Sequence, residues 1–112
     1  MIEPLRCSLY GERRTVRPAA GTLLAAICGP EPFEGFHYCG YGLAGEFAAA
    51  LEHAGVVLSA YADDAGVEAI ELPDHPFFLA TAFQPQVGTS ETGRPHPLLE
   101  AFVRASAAPV DA

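Results

Sequence analysis

Three side chains able to do chemistry fall at alternate positions in one short stretch: His37, Cys39 and Tyr41, within FEGFHYCGYGL. Alternate side chains of an extended strand share a face, so a regular strand here sets a thiol beside an imidazole with a phenol next to them. An imidazole that takes the thiol proton makes a nucleophile, and Tyr41 can supply a proton or a hydrogen bond. The same residues also fit an inert arrangement, with Cys39 packed as a small apolar group and His37 satisfied in the core, since free cysteines are among the most buried residues. A carboxylate comes from the run VEAIE, where alternation puts Glu71 on the face of Val67 and Ala69 and turns Glu68 the other way. An inward carboxylate is paired or raised in pKa, and either state serves acid-base work. The alternative is a carboxylate at the strand's end bonded to loop amides. The candidate catalytic set is therefore His37, Cys39, Tyr41 and Glu71.

Gln84 and Gln86 pair donors with acceptors and can orient a polar ligand, which makes them candidate substrate-binding residues; simple loss of an older role is the competing reading. His75 and His96 each precede a proline in turn-rich sequence and read as loop formers. The four histidines show no i, i+4 pair or other metal-ligand spacing, and neither a metal nor another cofactor is expected.

The elements that must position these groups are short. Residues 5–10 and 15–17 flank Gly11 and read as a hairpin ended by Pro18. Thr22 is an N-cap for a helix over 23–28, closed by Gly29 and Pro30. The aromatic, glycine-containing stretch 33–43 reads as an irregular strand with close backbone approach. Residues 45–53, GEFAAALEH, form an amphipathic helix stopped by Gly55. Runs 56–62 and 67–72, joined by Asp63-Asp64-Ala65-Gly66, give an antiparallel hairpin, and 77–83 returns as a third strand whose unbroken apolar run implies burial on both faces. A loop over 84–97 leads to a last helix to about 106, and the tail should fray.

Composition narrows the function classes. The chain has 112 residues, half of them hydrophobic, enough for one modest core. Fourteen acidic residues against six basic ones, all Arg, give a net charge of -8, which argues against a nucleic-acid partner. Arg13, Arg14 and Arg17 cluster, as a solvated hairpin face or an anion site. Three cysteines without CxxC spacing suggest neither a disulfide framework nor a zinc site, and no stretch approaches a membrane span or a signal core. A cytoplasmic protein with no membrane partner is expected.

Beyond these readings, VEAIELPDHPFFLATAFQPQ resembles the final strands of the class I glutamine amidotransferase domain, most closely that of CTP synthase and the shorter CTP synthase C-terminal region-related proteins. The resemblance extends through Cys7-Ser8-Leu9, Gly21-Thr22-Leu23-Leu24, the stretch 37–41, Leu51-Glu52-His53-Ala54-Gly55 and Gly93-Arg94-Pro95-His96-Pro97-Leu98, nearly the whole chain. In that family the last strand runs into Phe-His-Pro-Glu, whose His and Glu complete a Cys-His-Glu triad. Here those slots hold Gln84 and Gln86. A carboxamide cannot be the base, the Gly-x-Cys-x-Gly nucleophile turn does not occur, and the Arg that helps hold glutamine falls on Gly40.

The resemblance implies an α/β fold, half of a class I glutamine amidotransferase-like domain, with a mixed, largely antiparallel sheet and about three short helices. It implies that residues 1–112 form one truncated domain, with Met1 standing where the missing half should end. It also implies no glutaminase activity. The expected function is a repurposed small enzyme of specialised metabolism using acid-base or thiol chemistry on a small polar substrate. The alternative is a non-catalytic binding or regulatory subunit that docks through the face the missing half once covered. Such a face calls for a partner, as a homodimer or a separately encoded N-terminal half.

Overall fold

The computed structural model describes residues 1–5, 11–38, 40–63, 65–87 and 93–107. Seven strands among them form two sheets. A two-stranded ribbon pairs β1 (Ile2–Pro4) with β4 (Tyr41–Leu43), and a five-stranded sheet runs β3 (Phe33–His37), β2 (Glu12–Pro18), β5 (Val57–Ala62), β6 (Gly66–Glu71), β7 (Leu79–Thr81). Every pairing among the described residues is antiparallel. Helices α1 (Leu23–Cys28), α2 (Ala48–His53) and α3 (Pro97–Ala107) complete the fold, with a 3-10 turn (Gly45–Phe47) leading into α2.

Local chemistry explains the better-defined elements. Thr22 caps α1 as the sequence predicts, its hydroxyl accepting from the Ala25 amide at 3.1 Å. The hairpin between β5 and β6 turns on Gly66, whose φ of +73° a side chain would strain. A Cβ on Gly35 would lie 2.6 Å from Val16 Cγ2 and 2.8 Å from Phe83 Cβ, so the close approach expected of the glycines in this stretch is real at that position. It lets β3 lie against the core formed by Val16, Leu24, Ala60, Ala69, Phe83 and Leu98. Phe83 is almost fully enclosed, with the Phe33 ring edge-on to it at 5.4 Å. Burying such a side chain is worth about 2 to 3 kcal/mol.

The sheet is bent so far that residues beyond its last strand return to its first. Ala82 N donates to Glu68 O, and Gln84 N then donates to Phe36 O, both at 2.7 Å. This strap joins β6 to β3 and leaves their inward side chains facing each other.

Several expectations need correction. The first hairpin falls largely on residues 6–10, outside the described residues; β2 pairs with β3 and β5. The stretch 33–43 is two strands in two sheets. The run 77–83 is not buried on both faces: only Leu79–Thr81 is a strand, it pairs with β6 alone, and Ala80 is exposed, because β7 is the sheet edge among the described residues. The arginine cluster is a solvated face, with Arg13 near Glu34 (3.6 Å), Arg14 on Glu12 (2.7 Å) and Arg17 near Asp63 (3.5 Å).

Candidate functional site

His37 closes β3 and is 2% exposed; Glu68 lies on β6 and is 1% exposed. Their side chains meet inside the bend, His37 Nε2 standing 2.8 Å from one carboxylate oxygen of Glu68 and 3.0 Å from the other. With Glu68 ionised, its carboxylate only accepts, so Nε2 is the donor in this pair. Nδ1 is itself buried and has no hydrogen-bond partner among the described residues. The chain thus buries an imidazole, oriented by a carboxylate, with its basic nitrogen unspent. Such an arrangement can accept a proton at Nδ1 while the carboxylate steadies the resulting cation.

Beside this pair lies a cavity of about 420 Å³, bounded by β6, β7 and the β1–β4 ribbon, with Glu68, Gln84 and Tyr41 among its walls. Gln84 is held there by its main-chain N–H, which donates to Phe36 O, and its side-chain carbonyl accepts from Gln86 Nε2 at 3.0 Å. Tyr41 belongs to the ribbon and is 57% exposed.

The remaining predicted residues separate from this centre. His37 and Tyr41 do not share one regular strand, because the chain leaves β3 after His37 and enters the other sheet at Tyr41; Cys39 lies outside the described residues. Glu71 is buried as expected but on the opposite face of β6 from Glu68. There its two carboxylate oxygens accept from Leu23 N (2.9 Å) and Leu24 N (2.8 Å), at the start of α1. Glu68 is the residue that sequence reasoning passed over. Alternation correctly turns it away from Glu71, but the bend that makes its face an interior is a tertiary feature with no local signal. Cys28 is half-buried and burial pushes its thiol up to about 11, so it stays protonated near neutral pH. Among the described residues no group of His, Cys, Asp or Glu could hold a metal ion, and no helix is long and apolar enough to cross a membrane.

With this geometry in hand, the chain is similar to several CTP synthases. It is 40% identical over 93 residues to that of Archaeoglobus fulgidus, covering 82% of this chain and 17% of the relative. It is 40% identical over 96 residues to that of Aeropyrum pernix (84% and 18%) and 41% over 87 residues to that of Geobacillus kaustophilus (77% and 16%). The chain thus spans less than a fifth of the length of the curated relatives it matches. Among solved structures, the glutaminase domain of Trypanosoma brucei CTP synthase, with bound acivicin, superposes with a TM-score of 0.80 at 23% identity, over 99% of this chain and 47% of that one, a likeness of fold. No protein-family model matches.

Proposed function

Because this chain is homologous to part of the CTP synthases and carries the fold of their class I glutamine amidotransferase domain, we propose that it is a repurposed member of that lineage. In this reading it hydrolyses no glutamine and performs acid-base chemistry at the His37 and Glu68 pair. The observation that carries the reading is the buried imidazole whose Nε2 lies within hydrogen-bond distance of both oxygens of Glu68 and whose Nδ1 has no partner among the described residues, with Glu68 itself on the wall of a ligand-sized cavity. The loss of glutaminase activity rests on the two carboxamides, Gln84 and Gln86, bonded to each other where the family's imidazole and carboxylate stand. Neither can take a proton from a thiol near neutral pH. In this mechanism Glu68 orients the ring, His37 Nδ1 is the base, and Tyr41 and Gln84 hold the substrate. Cys39, two residues beyond the base, is the nucleophile if the chemistry is covalent. The substrate is a small molecule handled in the cytoplasm, in a step of specialised metabolism.

A second reading is favoured by β7. Leu79, Ala80 and Thr81 form an uncharged strand with one free edge among the described residues, and apolar Met1, Ile2 and Phe78 are exposed. Such an edge invites another strand. On this reading the protein is a binding or regulatory subunit, covered there by a second copy or by a separately encoded remainder of the domain.

One experiment parts the two. A strain of the source organism lacking the gene is complemented with the wild type, with His37→Gln and with Glu68→Gln, and its metabolites are profiled after each protein is shown to be folded. The enzyme reading expects an accumulated precursor in the deletion and in His37→Gln, with a partial effect for Glu68→Gln. Full restoration by His37→Gln would sink it and leave the binding reading standing.

A further inference from the structure

Resting on the reading that the cavity beside the dyad is the working site, we infer that strand β1 is a strap that gates it. The strap is hinged at Leu5 and peels from β4 at its Met1 end to admit and release the occupant. The two ends of β1 are held differently. At one end the Leu5 side chain packs against the small buried cluster of Ala62 and Ala65 and lies over Gly42, where an added Cβ would come within 2.7 Å of Leu5 Cδ2. The Leu5 amide donates to Gly40 O at 2.7 Å. At the other end Met1 and Ile2 are wall residues of the cavity yet 59% and 67% exposed, so they stand at its rim with most of their apolar surface in water.

Between those ends little holds the strand. All three residues of β1 are exposed, and β4 is its only partner strand among the described residues. Pro4 brings no N–H, so the outer edge lacks one of the donors that a further strand would need, and β1 ends the ribbon. Segments with few buried apolar contacts and exposed main-chain bonds open at far lower cost than the whole fold. β4 does not follow, because Gly42 within it and Ala44 just after it are buried. The Ala44 amide donates to Met1 O, so peeling leaves a buried N–H without its acceptor, and this cost returns the strap to the closed position. Short gates of this kind set the rates of entry and release in many enzymes.

The register supplies a lock. Leu5 with Gly40 and Met1 with Ala44 are hydrogen-bonded pairs, so alternation makes Ile2 and Leu43 a pair of the other, closer kind, with Cα atoms about 4.5 Å apart. That separation suits a disulfide. The test uses the isotope-labelled chain, as wild type and as the double variant Ile2→Cys, Leu43→Cys, with mass mapping to confirm the bond between those two positions. In the wild type, hydrogen exchange followed by NMR should find the Ala44 amide opening about tenfold faster than that of Leu5. Hexan-1-ol serves as a probe with an apolar body. It should bind the oxidised and reduced forms of the variant with affinities within about twofold, while the oxidised form should release it about tenfold more slowly, as read from NMR exchange broadening. Reduction of the same protein should restore the wild-type rate. An Ala44 amide that opens no faster than that of Leu5 overturns the inference, as do equal release rates in the two redox forms. So does an absence of saturable hexan-1-ol binding to the wild type, which would leave the strap nothing to admit. Each of these failures leaves complementation by His37→Gln as the separate test of the chemistry, so the gate and the dyad fall independently.

Discussion

Glu68 and Glu71 lie three residues apart on β6, both nearly enclosed, and they do different work. Glu71 faces α1, where two main-chain amides take up its two oxygens. Those partners cannot titrate or be exchanged, so the carboxylate is fully committed to holding the start of a six-residue helix. Glu68 faces the bend, where both of its oxygens are engaged by the ring of His37, a partner that can gain a proton on its other nitrogen. Burial of a carboxylate says that it has a partner. Only the identity of that partner distinguishes a group spent on structure from one left able to act.

The sharpest way to break the comparison is to remove one partner on the Glu68 side. His37→Leu leaves the Glu68 carboxylate enclosed without its imidazole, and a broken buried pair typically costs about 3 to 5 kcal/mol. The double variant His37→Leu, Glu68→Leu should recover at least half of that loss in urea unfolding, because two apolar groups replace the pair. A single variant that costs less than about 1 kcal/mol would mean that the two side chains do not hold each other.

On the Glu71 side the expected loss is smaller, because the helix start it serves is partly open to water. Glu71→Ala should cost about 2 kcal/mol, and Glu71→Gln, which keeps one acceptor, roughly half as much. Hydrogen exchange locates the effect: the amides of Leu23 and Leu24 should lose protection first. A folded Glu71→Ala protein should complement the deletion strain as the wild type does. Failure there, with α1 intact, would return Glu71 to the reacting centre and erase the contrast with Glu68.

Much of this architecture is legible along the chain wherever a local rule decides it. The Thr22 cap, α1 over Leu23–Cys28, the hairpin turning at Gly66 and the close approach at Gly35 all follow from side-chain chemistry within a few residues. The largely antiparallel sheet follows from the resemblance. What stays hidden depends on residues far apart. Strand alternation shows that Glu68 and Glu71 face opposite ways, but not that both faces are interiors. His37 and Glu68 are 31 residues apart, and they meet because the strap through Ala82 and Gln84 draws β6 toward β3. The apolar run 77–83 misleads for a related reason, since it looks like a strand buried on both faces while among the described residues its only strand, Leu79–Thr81, has one neighbour and Ala80 is exposed.

His96 extends the comparison to a third, half-buried acceptor and the smallest expected effect. It does for α3 what Glu71 does for α1, its Nδ1 accepting from Leu98 N at 3.1 Å, while its ring sits against those of Phe33 (5.6 Å) and Phe83 (6.0 Å). Burial in this apolar setting lowers its pKa below the ordinary 6.5. As the pH falls below 6.5 the unfolded chain therefore binds a proton that the folded one resists, and stability declines until the folded pKa is passed. Protonation of Nδ1 also removes the cap acceptor, so the decline is bounded by the worth of a cap, about 1 kcal/mol. His96→Asn keeps a capping oxygen without a titrating ring, so its unfolding free energy should fall less than that of the wild type between pH 7.5 and pH 5. The pH dependence left in that variant belongs to the other histidines and the carboxylates. Equal slopes for the two proteins would show that folding does not lower the proton affinity of this ring.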